Sequence, residues 1–257
     1  MLTVFTGLPP TAAGHTMYVN LTDYVPHLRR GATMFFGWGE ALPVGGMLGA
    51  DWLETLKIVD PEGEVRPLDK PTEFLTRVEL AKEGTHILAA ELRPGFYTIY
   101  KEGDQKKHHM GPKTEVQNVE SSHYYCQQGK AIFNAGALSD TFKRPVGHSL
   151  EIIPLKNPAL LREGDMLPVQ VLFEGKSVPG YPKLMATYMG FSTTGAFAYA
   201  KSVIHGRAEV KISHAGVWYL NVNYRTRPTG DLADKCDEVS YTATISFEVG
   251  RSPGSDE

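Results

Sequence analysis

Residues 241–249 read YTATISFEV, and their alternation is strict: Tyr241, Ala243, Ile245, Phe247 and Val249 fall on one side, and Thr242, Thr244, Ser246 and Glu248 on the other. Side chains of a strand point alternately to opposite faces, so this period of two predicts a β-strand with one buried and one wet face. VWYLNVNY, residues 217–224, repeats the pattern, with Trp218, Leu220, Val222 and Tyr224 inward and Asn221 and Asn223 outward. Before it, residues 166–190 (MLPVQVLFEGKSVPGYPKLMATYMG) place two apolar strands around a Gly-Lys-Ser-Val-Pro-Gly connection, which reads as a hairpin of an immunoglobulin-like or transthyretin-like module.

The first half has its own strand set: HTMYVNL from residue 15, ATMFFGW from 32, LETLKIVDPEG from 53, FLTRVELAKEG from 74, and the pair HILAAEL and FYTIYKE joined by Arg93-Pro94-Gly95. Short strands between Gly/Pro turns point to β-sandwiches rather than βαβ units. Residues 118–147 are the one stretch that suggests a helix, with Tyr124, Tyr125, Gln128, Ile132 and Phe133 near helical spacing and Asn118 or Ser121 as cap. The expected fold is all-β: a sandwich domain over residues 15–140 ending in a short helical connector, and an immunoglobulin-like sandwich over 147–250, with a disordered tail at 251–257.

With 29 acidic and 26 basic side chains the formal charge is −3, and there is no Lys/Arg block to attract phosphates, so a nucleic-acid partner is not expected. Gly, Pro and charged residues interrupt every apolar run before it reaches bilayer length, so the chain is not expected to span a membrane. Residues 1–14 set Leu2, Val4, Phe5 and Leu8 before the small residues Ala12, Ala13 and Gly14, which reads either as the remnant of a secretory leader or as a disordered N-terminus. Cys126 and Cys236 fit an oxidising or a reducing compartment equally.

Residues 147–186 carry a family resemblance, through Leu150-Glu151-Ile152 with Pro154, Asn157-Pro158, Gly164-Asp165 and the Leu172-Phe173-Glu174-Gly175-Lys176 turn. Further matches stand at Ala215-Gly216-Val217-Trp218, at Tyr241-Thr242-Ala243-Thr244 and in GWGEALPV of the first half. The chain resembles a family of extracytoplasmic proteins, a domain of unknown function associated with energy-coupling-factor nickel and cobalt uptake transporters. The resemblance implies a periplasmic or otherwise extracytoplasmic protein, a membrane metal-uptake transporter as partner, and a mature chain that starts at or near a histidine. His15-Thr16-Met17-Tyr18 fits that start, and Glu40 stands where the family tends to carry a histidine. An oxidising compartment also implies a Cys126–Cys236 disulfide clamping the two domains, with two separate thiols as the alternative.

At a mature N-terminus His15 offers its α-amine and ring Nδ1 as one chelate for a borderline metal such as nickel or cobalt. Met17 shares its side of the strand and adds a soft ligand or simply packs, and Glu40 adds a carboxylate. His108 and His109 in KKHHM are the densest ligand cluster, although neighbours on a strand face opposite ways. His123 is the next candidate, and the other histidines are scattered singly. No HExxH, CxxC, GxSxG, Walker or GxGxxG pattern is present, so the common zinc-protease, redox, hydrolase and nucleotide classes lack their local signatures, and the leading expectation has no catalysis of its own, with oxidative chemistry on a histidine-amine copper site as a third option. The leading expectation is an accessory protein that binds nickel or cobalt for a transporter. Its rival is a non-catalytic envelope module that binds a protein or glycan through aromatics such as Trp38, Trp52, Tyr18, Tyr24 and Tyr181.

Overall fold

The computed structural model describes residues 15–39, 45–192 and 196–250. Among them there are eighteen strands, short 3-10 turns and no α-helix. A central ten-stranded sheet carries a four-stranded sheet on each face. The first small sheet holds β1 (Thr16–Leu21), β2 (Ala32–Gly39), β3 (Gly46–Met47) and β6 (Thr76–Val78). The second holds β11 (Leu150–Pro154), β12 (Met166–Phe173), β13 (Lys176–Ser177) and β16 (Arg207–Lys211).

The central sheet takes β4 (Leu53–Val59), β5 (Val65–Pro67), β7 (Gly84–Leu92), β8 (Gly95–Glu102), β9 (Gln105–His109) and β10 (Val119–Ala135) from the first half of the chain. It takes β14 (Lys183–Tyr188), β15 (Tyr199–Ser202), β17 (Gly216–Thr226) and β18 (Glu238–Val249) from the second. The two halves meet where β10 and β18 pair in parallel, from His123 opposite Glu238 to Ala131 opposite Ser246. The sheet therefore runs through the division expected near residues 140–147.

Both faces of β7 and of residues 128–135 of β10 are covered. Ile87, Ala89 and Ile132 enter the core under the second small sheet, while Leu88, Ala90, Ala131 and Phe133 enter the core under the first. A strand buried on both sides reads as a nearly continuous apolar run, as HILAAEL does. The helical connector is overturned: residues 119–135 are the longest strand, and double burial of its 128–135 half erases the polar beats that would reveal period two there. Gly129, which argues weakly against a helix, is there because β1 crosses above it. A Cβ at that position would lie 2.8 Å from Thr244 Oγ1 and 3.2 Å from Val19 Cγ2.

Two expected hairpins are also corrected. β7 and β8 do not pair with each other; they run on in line along β10, β7 opposite residues 128–135 and β8 opposite 119–125. Pro94 interrupts that continuation because it has no N–H to give the ladder. β12 and β14 lie in different sheets. The hairpin partner of β12 is the two-residue β13, reached through Glu174 and Gly175, both at positive φ (48° and 71°), after which the chain crosses to the central sheet.

The inward phase of β18 and β17 is as the sequence predicts, with Trp218, Leu220, Val222, Ala243, Ile245, Phe247 and Val249 in one core. Each such Val, Leu, Ile or Phe contributes about 1.5–3 kcal/mol on burial. The polar phase of β18 is not wet, however: Thr244 and Ser246 are buried, and their hydroxyls donate to Met17 O (2.8 Å) and Val19 O. They stand up from the central sheet and satisfy the outer edge of β1 in place of a neighbouring strand.

The expected disulfide is absent, since Cys126 and Cys236 are both free thiols. In the parallel register Cys126 stands opposite Tyr241, whereas Cys236 precedes the start of β18 at Glu238. The two are thus offset along the ladder rather than paired across it. The Cys236 Sγ instead contacts Leu232 O at 3.6 Å, and burial pushes the Cys126 thiol up to about 11.

Candidate functional site

His15 sits at the open start of β1, exposed, and its ring meets Trp38 edge-on at 5.7 Å. Trp38 in turn stacks on Trp52 at 6.5 Å, and Trp52 is 46% exposed. The backbone here is held by one side chain. Gln127, rising from β10, donates its amide N–H to His15 O at 2.8 Å and accepts from Met17 N at 2.9 Å. A primary amide presents donor and acceptor side by side, so Gln127 bonds β1 as one rung of a neighbouring strand does. Gln127→Ala is expected to cost about 1–2 kcal/mol for the two lost bonds and to speed hydrogen exchange at the Met17 amide, read by proton NMR. Unchanged Met17 exchange would show that the clamp does not hold the strand.

Met17 itself is a core residue, 1% exposed, packed beneath β1 near Gly129. It faces inward while His15 stays exposed at the strand end. Glu40 lies outside the described residues. His108 and His109 point to opposite faces of β9, as strand alternation requires. The Nδ1 of His108 lies 2.6 Å from the Tyr97 hydroxyl, while His109 Nε2 lies 2.7 Å from Glu115. Among the described residues no three His, Cys, Asp or Glu side chains gather into a metal-holding group. Within those residues the structure thus gathers no ligand cluster around His15, and it separates His108 from His109.

Of the aromatics proposed as a platform, Tyr18 and Tyr24 are buried, and burial pushes the Tyr18 hydroxyl up to about 12. Tyr181 is exposed in the connection between β13 and β14, and Trp38 with Trp52 forms the stack beside His15. The sequence did not reveal the row that crosses the central sheet below β1. Tyr97 of β8 stacks on His108 at 5.4 Å and leans on His123 of β10 at 5.4 Å, and His123 stands opposite Glu238 of β18. Burial lowers the pKa of His123; nearby Glu238 works against this and Arg225 adds to it.

A second cluster without any local sequence signature lies between the central sheet and the second small sheet. Lys130 Nζ meets Glu151 Oε1 at 2.8 Å with both side chains at most 2% exposed. Glu151 also accepts the backbone N–H groups of Val146 (2.7 Å) and Gly147 (3.3 Å), and Lys57 donates to Val146 O at 2.8 Å. His148, buried beside them, has an Nε2 with no hydrogen-bond partner. Burial lowers the pKa of Lys130, against the pull of Glu151.

A family model described as a domain of unknown function, DUF4198, matches residues 12–226. The chain belongs to the DUF4198 family. The match spans His15, the Gln127 clamp and the Lys130–Glu151 pair, so the DUF4198 domain covers strands on both sides of the loop at 136–149. No curated protein matches the chain. Among the described residues of this DUF4198 protein, no helix is long and apolar enough to cross a membrane.

Proposed function

We propose that this DUF4198 protein is a non-catalytic, extracytoplasmic binding protein for nickel or cobalt that presents the ion to a membrane uptake transporter. The observation that supports the reading is the mounting of His15: its ring is exposed, while its carbonyl and the next-but-one amide are fixed by Gln127 to the central sheet. In a mature chain whose first residue is His15, the α-amine and ring Nδ1 close one chelate on a borderline metal. With no cluster of three protein ligands among the described residues, that chelate leaves coordination positions for water or for the transporter's own ligands. An open site of this kind suits capture and release rather than permanent storage.

The test is calorimetric titration of nickel and of cobalt into protein beginning at His15, beside the same protein with one extra N-terminal alanine. One-to-one binding that the added alanine abolishes is the expected result, because the alanine moves the amine away from the ring. Equal binding by both proteins, or none by either, would overturn the reading.

A further inference from the structure

The first small sheet covers only part of its side of the central sheet. The covered part ends at Gln127 on β10, and below it the same face continues across five strands without any core residue packed on it, among those described. The strand registers order this surface. One row runs from His108 through Tyr97 and His123 to Glu238, a second takes Tyr125, Ser240 and Arg225, and a third takes Gln127, Thr242 and Asn223. Apart from Ser240 and Thr242, which form the floor, these side chains are half-buried or exposed.

Three properties of this face define what fits it. First, its rings are fixed before any ligand arrives: Tyr97 stands between His108 and His123 with equal 5.4 Å spacings, and its hydroxyl is tied to His108 Nδ1 at 2.6 Å. Rings already ordered lose little conformational entropy when something is laid on them. Second, its polar floor is also fixed. Asn223 Nδ2 donates to Ser240 Oγ (2.9 Å), Thr242 Oγ1 (3.0 Å) and Tyr241 O (3.1 Å), while its Oδ1 accepts from Arg225 Nε at 3.1 Å. Third, the two formal charges of these three rows cancel, because Arg225 Nη1 donates to Glu238 Oε1 at 2.6 Å, and the lysines next along the face, Lys101 and Lys106, share Glu120. Arg225 keeps further guanidinium N–H groups and Glu238 further lone pairs for a ligand.

A polyanion would find its one arginine already neutralised, and an apolar protein segment would bury amides and hydroxyls against carbon. A ligand with an uncharged C–H face for the rings and hydroxyl groups for the planar polar side chains meets neither penalty. We infer that the uncovered face of the central sheet, centred on Tyr97, His123 and Arg225, binds an uncharged oligosaccharide strand. The row of rings and the amide floor lie side by side, so successive sugar units rest on His108, Tyr97 and His123 while their hydroxyls reach Arg225, Glu238 and Asn223. This surface meets the mounting of His15 only at Gln127, on its edge, and none of the residues varied in its test touches the chelate, so each stands or falls alone, and together they describe a metal carrier held at a glycan-bearing envelope.

The experiment uses the full chain with EDTA present, which removes any contribution of bound metal. Cellohexaose, maltohexaose, xylohexaose and chitohexaose are titrated calorimetrically, with heparin as the polyanionic control. At least one neutral hexaose is expected to bind at concentrations up to about 10 mM, with Tyr97→Ala and Arg225→Leu each weakening it about tenfold or more and Tyr181→Ala leaving it unchanged. If Tyr97→Ala proves misfolded by circular dichroism, the exposed His108→Ala replaces it with the same expectation. Binding of none of the four, binding of heparin alone, or affinity indifferent to Arg225 and the ring row would overturn the inference.

Discussion

Lys130→Met is expected to destabilise the protein by about 3–5 kcal/mol, read as a lowered denaturant midpoint at unchanged slope. The lysine lies on β10 between Ala89 of β7 and Ile245 of β18, and its ammonium is at most 1% exposed against Glu151. Removing it leaves a carboxylate in the core with only the Val146 and Gly147 amides as donors. Those two bonds do not offset the cost of an uncompensated buried charge, so the site is expected to open. Glu151→Gln keeps an acceptor for the Val146 amide but strands Lys130, and the double variant is expected to be less damaged than the sum of the two single ones. A loss below about 1 kcal/mol for Lys130→Met would show that the pair is dispensable.

The position of this pair explains why it is invisible in the sequence. Lys130 stands in QQGKAIF and Glu151 in SLEII, and neither short stretch marks its charged residue as buried. Their meeting depends on β11 folding back over β10, which is a tertiary event with no local signature. The same holds for Gln127, whose role exists only because β1 crosses β10 more than a hundred residues away in sequence. By contrast β17 and β18 are legible because each has one apolar phase facing a single core, so period two survives in the sequence. β10 is not, because both faces of its 128–135 half are covered, and a chance helical spacing fills the gap.

The candidate ligands show the same division. Strand alternation alone separates His108 from His109, and the structure keeps them on opposite faces. Alternation also puts Met17 on the side of His15, yet nothing local says that this side is the core. The polar phase of β18 misleads in the opposite sense: its threonines and serine read as wet, whereas Thr244 and Ser246 are buried to serve the backbone of β1. Polar residues on a strand therefore mark either solvent or another strand's unpaired edge, and only the assembled layers tell which.

The buried cluster around Lys130 also sets how the protein responds to acid. His148, 5% exposed, has its pKa lowered well below the usual value, first by burial and then by Lys130 and Lys57. In the unfolded chain a histidine takes up a proton near pH ~6.5; in the fold His148 refuses it until much lower pH. Below about pH 6.5 the unfolded state thus binds more protons than the native state, so stability rises with pH and is lost as pH falls through this window. Each pH unit costs up to about 1.4 kcal/mol for one such histidine, or about 2 kcal/mol between roughly pH 6.5 and 5. His86, also buried and lowered, and His123 add to the slope of the wild-type protein. His148→Leu removes only its own share, so its stability profile is expected to run flatter than that of the wild type by about that amount while converging with it in shape above about pH 7. Denaturant midpoints measured from about pH 5 to pH 8 decide this. Parallel profiles for the two proteins would mean that His148 gains its proton without opening the core, and that the Lys130–Glu151 pair can tolerate a third cation beside it.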